Sequence, residues 1–171
     1  SVTMVGAVGA DTDGDWMIGL LRDEGVETGT IRRVEFPTGK AVIFVEPDGE
    51  STIVVSPGAN GHLTPEDLDS ERETIASARC VLAQQEVSAA VIERASRLVR
   101  GLFVLNPAPS RALSAGLLRR VDALVPDRHA LAGLCGASPS RHRTAPAGAD
   151  RRPHDPPRVV VPPGPARPPG R

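Results

Sequence analysis

Short apolar runs alternate along this chain with longer amphipathic stretches, and the spacing of the two predicts its elements. Val2, Met4, Val5, Ala7 and Val8 open it as a strand, which runs into VGAVGADTDG (5–14) with its three glycines and two aspartates. Met17, Leu20 and Leu21 then share one face of a helix predicted over Asp13–Glu24, with Gly25 placed to stop it. The period changes next. KAVIFVEPDGESTIVVS (40–56) holds two β-rich runs, Ala41–Val45 and Thr52–Val55, joined by a Pro-Asp-Gly turn, which predicts an antiparallel hairpin. Gly58, Ala59 and Asn60 break its second strand.

From Leu63 onward the pattern is α/β. Thr64 is set to cap a helix with Pro65 at its first position and Asp67 in its first turn. CVLAQ (80–84) is a short apolar strand, and Val87, Val91, Ala95 and Leu98 stripe the next helix, closed by Gly101. LFVLN (102–106) is a further strand, Leu113, Leu117 and Val121 stripe a third helix, and ALVP (123–126) is a last strand. Short apolar strands alternating with amphipathic helices predict a mostly parallel sheet covered by helices on both faces, with the hairpin as an antiparallel insertion.

The pattern stops after residue 136. Residues 137–171 contain 10 Pro and no Leu, Ile, Met or aromatic residue, so they offer little apolar surface to offset their ordering entropy. The expected domain is therefore 1–136, and the Pro/Arg-rich remainder is expected to be disordered. It reads as a proline-rich ligand, as a basic tail, or as an out-of-frame stretch of a GC-rich gene. The last is preferred because the change falls inside a helix–strand repeat; Lys40 as the only lysine fits such a gene.

Composition narrows the function classes. The net charge of -1 combines an acidic first part, with 19 acidic and 13 basic side chains over 1–136, and a basic remainder with 2 and 7. The first part does not have the charge of a nucleic-acid or membrane-surface binder. Cys80 and Cys135 are unclustered and expected in buried elements, which argues against a disulfide framework or a zinc site. No stretch is long and apolar enough for a membrane span, and the expected location is the cytoplasm. The glycine turn has two readings. A phosphate cradle would want Gly-x-Gly-x-x-Gly or Gly-Lys-Ser/Thr, neither of which Gly6, Gly9 and Gly14 satisfy; a strand-to-helix turn needing small residues is favoured.

Several stretches, in order, resemble the ribokinase family of sugar kinases (the PfkB group). VGAVGADTDG resembles a family turn ending in Gly-x-Asp-x-x-Gly, and PTGKAVIFVEPDGESTIVVSPGAN resembles the family's lid segment, here about 34–57. LAQQEV resembles a strand end whose Glu touches the sugar, and VLNPAPSRALSAGLLRRVDALVPDRHA resembles an Asn-Pro-Ala-Pro segment leading to Pro-Asn-x-x-Glu. The resemblance implies a ribokinase-like α/β fold and phosphorylation of a sugar hydroxyl, ribose first, with ATP, Mg²⁺ and in some members a monovalent cation. It makes Glu86 a substrate-binding residue, although on its own Glu86 reads as a solvated residue at a strand-to-helix junction. Asp127 stands where the family has an Asn near the nucleotide, and Ala130 replaces the Glu that organises Mg²⁺; His129 between them reads as an exposed helix residue.

Two family segments have no counterpart here: the earlier unit with Asn-x-Asp and Gly-Gly-Lys-Gly-x-Asn, and the Gly-Ala-Gly-Asp motif with its catalytic Asp and anion hole. AGAD at 147–150 is a superficial echo. The resemblance thus implies a catalytically incomplete fragment with neither a catalytic residue nor a metal ligand to name. Expected partners are a pentose and a second copy joined through the lid, where Val42 or Ile43 and Phe44 alternate faces; the alternative is that they pack on the body. The competing functional reading is a non-catalytic sugar-binding or dimerising remnant. A Rossmann oxidoreductase is disfavoured by the missing fingerprint and the intervening hairpin.

Overall fold

The computed structural model describes residues 1–45 and 51–126. The opening run divides into β1 (Val2–Thr3) and β2 (Gly6–Gly9), followed by α1 (Thr12–Asp23), β3 (Val26–Glu27) and β4 (Ile31–Val34). β1 pairs with β3 and β2 with β4, both in parallel. Neither β3 nor β4 was expected, because Arg32 and Arg33 interrupt the apolar pattern of IRRV. Both arginines point to carboxylates instead: Arg32 meets Asp67 at 2.6 Å and Arg33 meets Asp15 at 2.5 Å.

The hairpin forms as expected from β5 (Lys40–Val45) and β6 (Ser51–Ser56), antiparallel and in register from Lys40↔Ser56 to Val45↔Ser51. Its turn, 46–50, lies outside the described residues. Both of its faces are open: Val42, Ile43, Phe44, Val45, Ile53, Val54 and Val55 are all exposed, so the hairpin does not pack on the body.

Thr64 caps the next helix as its sequence suggests, with a reciprocal capping box to Asp67 and Pro65 in the first turn. The stretch is two short helices, α2 (Pro65–Ser70) and α3 (Arg72–Ser77), hinged at Glu71. β7 (Cys80–Gln84), α4 (Ala89–Leu98) and β8 (Leu102–Asn106) follow, then a single helical turn, α5 (Ala115–Leu118), and β9 (Ala123–Leu124). Ser88 and Ser114 cap α4 and α5. β7, β8 and β9 form a parallel sheet with β8 in the middle. Backbone and side chain of Asp122 both bind Phe103 on the central strand, at 2.9 and 2.8 Å.

One core joins these parts. Ala7 and Val34 from the first strands, Leu68 and Ile75 from α2 and α3, and Val91, Ile92, Ala95 and Leu98 from α4 surround Phe103 and Leu105. The last two are completely buried.

Three expectations need correction. The sheet is covered on one face among the described residues, not on both: Phe103 and Leu105 are buried, whereas Leu82 is 71% and Leu102 56% exposed on the other side. Cys80 shares that open side and is an exposed free thiol rather than a buried one, while Cys135 lies outside the described residues. The inner face of α1 carries Gly14, Ile18 and part of Leu21, while Met17 and Leu20 point outward with Trp16. The periodicity identified the helix, but the close approach of Gly14 to the turn after β2 set the Gly14–Ile18 side inward.

Candidate functional site at the strand ends

The carboxyl ends of the paired strands β7 and β8 carry Gln84 and Asn106, and Gly9 ends β2. Parallel strands leave the loops at this edge free to carry binding groups, which is where ligands of open α/β sheets bind. After β7 the chain turns sharply. The Glu86 amide donates to Gln84 Oε1 at 2.6 Å, and the Gln85 amide donates to the Ala108 carbonyl at 2.9 Å, tying this turn to the segment after β8. Glu86 is exposed, and its carboxylate has no hydrogen bond or ion pair among the described residues.

Two neighbours were not singled out from sequence. Gln84 and Asn106 stand opposite each other at the ends of the paired strands. Among the described residues, Gln85 Oε1 and Asn106 Oδ1 are buried acceptors with no partner. A buried acceptor left unpaired is costly, so each is a place where a donor would be accommodated. The signal for them was present in CVLAQQ and LFVLN, apolar runs that end abruptly on amides.

Three amides of the glycine turn after β2 are committed within the protein. Gly9 N–H donates to Thr38 Oγ1 at 2.9 Å, Ala10 N–H to the Val34 carbonyl at 2.9 Å, and Gly14 N–H to Asp11 Oδ1 at 2.8 Å. A side chain at position 9 would place its Cβ 2.6 Å from both Phe36 O and Thr38 N, so glycine here permits a close backbone approach. Asp11 caps α1 and also accepts from Thr38, through the hydroxyl at 2.5 Å and the amide at 2.8 Å. The Thr38 hydroxyl, then the Thr38 and Gly14 amides, hold the Asp11 carboxyl down to about 2, with Lys40 adding a smaller effect. Lys40 itself pairs with Asp13 at 2.5 Å.

The edge thus brings Glu86, Gln84 and Asn106 to the ends of one sheet. Asp127, His129 and Ala130 lie outside the described residues. Among the described residues no group of three or more His, Cys, Asp or Glu side chains is arranged to hold a metal ion, so no Mg²⁺ ligand set is derived. No helix among them is long and apolar enough to cross a membrane.

Parallel strands with α-helical connections, an inserted antiparallel hairpin and polar groups at the strand ends define a sugar-kinase-type α/β chain. The model of the pfkB family carbohydrate kinases matches residues 1–162, and the chain belongs to that family. It is 35% identical over 129 residues to a ribokinase of Staphylococcus aureus, covering 73% of this chain and 42% of that protein. It is 33% identical over 143 residues to a ribokinase of Schizosaccharomyces pombe, covering 81% and 45%. Among solved structures, an Arabidopsis thaliana ribokinase complexed with ribose and ATP superposes with a TM-score of 0.71 at 29% identity, over 78% of this chain and 46% of that one. A ribokinase from Thermotoga maritima gives 0.70 at 27%, over 79% and 46%. The chain spans about half the length of the curated relatives it matches.

Proposed function

We propose that this chain serves an ATP-dependent kinase that phosphorylates a hydroxyl of a pentose, ribose before hexoses, and that it supplies Glu86 to the sugar and the β5–β6 hairpin as a lid. The observation that carries the reading is Glu86, an exposed carboxylate at the carboxyl end of β7 with no partner among the described residues. Family membership and the ribose and ATP complex of the Arabidopsis relative support it. A carboxylate accepts hydrogen bonds from adjacent sugar hydroxyls, and such charge-assisted bonds are stronger in a site closed from water. ATP bound with Mg²⁺, and in some settings a monovalent cation, would supply the phosphoryl group and neutralise its charge. The nucleotide-facing position is assigned to Asp127, with Ala130 in place of a metal-organising Glu.

The Gly-Ala-Gly-Asp segment that the family resemblance calls for has no counterpart in these 171 residues. The proposal therefore gives the chain sugar contact and lid, not the proton transfer. The boundary at 136, with 137–171 outside the domain, belongs to the same proposal. The test is titration of the isotope-labelled chain with ribose, reading amide shifts. Shifts concentrated at 84–87 and on Asn106 are expected; shifts scattered over the surface, or none, overturn the assignment. A coupled ADP-release assay with ribose and Mg²⁺ is expected to stay at background.

A second reading is favoured by the doubly exposed hairpin. Val42, Phe44 and Val54 share one face and present more apolar surface than an isolated two-stranded hairpin leaves in water without a partner. Pairing with the hairpin of a second copy would cover it. Sedimentation at increasing concentration checks this, and a monomer that persists with Phe44→Lys behaving identically refutes it.

A further inference from the structure

The two legs of the hairpin meet the body at one place, and there the contacts converge on one side-chain pair. Thr38, on the entry leg, donates its amide to Asp11 Oδ2 at 2.8 Å and its hydroxyl to Asp11 Oδ1 at 2.5 Å. The same hydroxyl accepts from Gly9 N–H at 2.9 Å. Asp11 Oδ1 also accepts from Gly14 N–H at 2.8 Å, so one carboxylate joins the end of β2, the start of α1 and the root of the hairpin.

The exit leg is tied to the entry leg and also packs on the body, with Ala59 and Leu63 buried in the core. Ala59 N–H donates to the Pro37 carbonyl at 2.8 Å, and Phe36 stacks on His62 with ring centres 3.4 Å apart and planes 12° from parallel. Thr38 therefore sits where the two legs meet, and it fixes the entry leg to the body.

We propose that Asp11 and Thr38 form a pin that sets the attitude of the hairpin over the strand ends, and that both are positioning residues for a sugar held beneath it. The clause about the sugar rests on the kinase reading; the pin does not. The chemistry restricts both positions. Three donors fall on the two oxygens of Asp11, and Asn offers one oxygen and one N–H₂, so whichever way its amide turns a donor faces a donor. Thr38 must donate and accept through one hydroxyl, which Ser can do and Val cannot. Glu at position 11 would carry the carboxylate a methylene too far to cap α1 and meet Thr38 together.

The test uses the full chain with Cys80 and Cys135 changed to Ala and nitroxides on Ile43→Cys, in the hairpin, and Arg97→Cys, on α4; both native positions are exposed. A single narrow distance is expected with Asp11 and Thr38 intact and with Thr38→Ser. Asp11→Asn and Thr38→Val should broaden it. In the same variants the amides of Thr38 and Gly9 should exchange about 10- to 100-fold faster, the range for losing a charge-assisted hydrogen bond, while those of Phe103 and Leu105 stay unchanged. An unbroadened distance overturns the pin, as does equal acceleration at Phe103 and Leu105, or Thr38→Ser behaving like Thr38→Val. If Asp11→Asn does not fold, the Ser and Val variants of Thr38 decide alone. Failure of ribose to bind would remove the kinase reading and leave these distances as they are.

Discussion

Leu102 and Leu105 lie three residues apart on β8, have the same chemistry and face opposite sides of the sheet, so truncating each to Ala measures how one-sided the core is. Leu105 is fully buried among α4, α2 and the neighbouring strands. Removing its side chain loses the transfer free energy and leaves a cavity, which together cost about 2–5 kcal/mol. Leu102 is 56% exposed, so less than half of its side chain leaves water on folding, and nothing closes over the space it vacates. A fully buried Leu gains about 1.5–3 kcal/mol, so Leu102→Ala should cost about 1 kcal/mol or less. The assay is urea denaturation of both variants, compared at equal slope so that only the midpoint moves. Repeating it over about a tenfold range of protein concentration separates burial within one chain from burial between copies. Equal costs at the two positions, independent of concentration, would refute the claim that one face of the β7–β8–β9 sheet is open. Equal costs that grow with concentration would show that a second copy covers it.

Three further outcomes follow from the same geometry. Glu86→Ala should leave the urea midpoint within about 0.5 kcal/mol of the parent, because an exposed carboxylate without a partner contributes little to folding; ribose affinity measured by amide-shift titration should fall by about 1–3 kcal/mol, and unchanged affinity removes the sugar assignment. Gly58→Ala should destabilise more than Gly25→Ala: both glycines have positive φ, 47° and 75°, but a Cβ at 58 also runs into the Pro37 carbonyl and lies 2.9 Å from Gly39 N, whereas at 25 nothing stands within 4 Å. The shared conformational penalty is about 1–2 kcal/mol, and denaturation midpoints that fall equally would show that the hinge relaxes around the new methyl. The carboxyl of Asp11 is lowered from 3.8 to about 2 by the Thr38 hydroxyl, then the Thr38 and Gly14 amides. A depressed folded-state value makes its contribution present above about 3.8 and lost as pH falls toward 2, so thermal midpoints should drop through that window and Asp11→Asn should flatten the drop.

Much of the local structure was legible in consecutive residues because its causes are local. Thr64, Pro65 and Asp67 announce a helix start through groups within one turn of each other, and the structure has the capping box there. Two β-branched runs around Pro-Asp-Gly announce a hairpin, and its strands pair in the expected sense. The apolar runs at 80–84 and 102–106 became adjacent parallel strands. The family, too, was readable from motifs in order, since those motifs are contiguous words.

What the sequence left undecided depends on which distant surface arrives against each residue. Leu82 and Phe103 are equally apolar, yet α4 and its neighbours cover only the side of the sheet that Phe103 faces. Met17 and Leu20 satisfy helical periodicity as well as Ile18 does, but the turn after β2 comes close to Gly14 and draws that side inward. IRRV hides a strand because its arginines are satisfied by Asp67 and Asp15, partners the chain supplies from far along its length or from another element. The glycine turn raised the question of a phosphate site, and only folding shows where three of its amides go. Thr38, 27 residues from Asp11 and 29 from Gly9, takes up the Gly9 amide and donates to the Asp11 carboxylate. Periodicity and capping are written in neighbours along the chain, whereas burial, spent hydrogen bonds and the hairpin's attachment are settled by pairs that only the tertiary fold brings together.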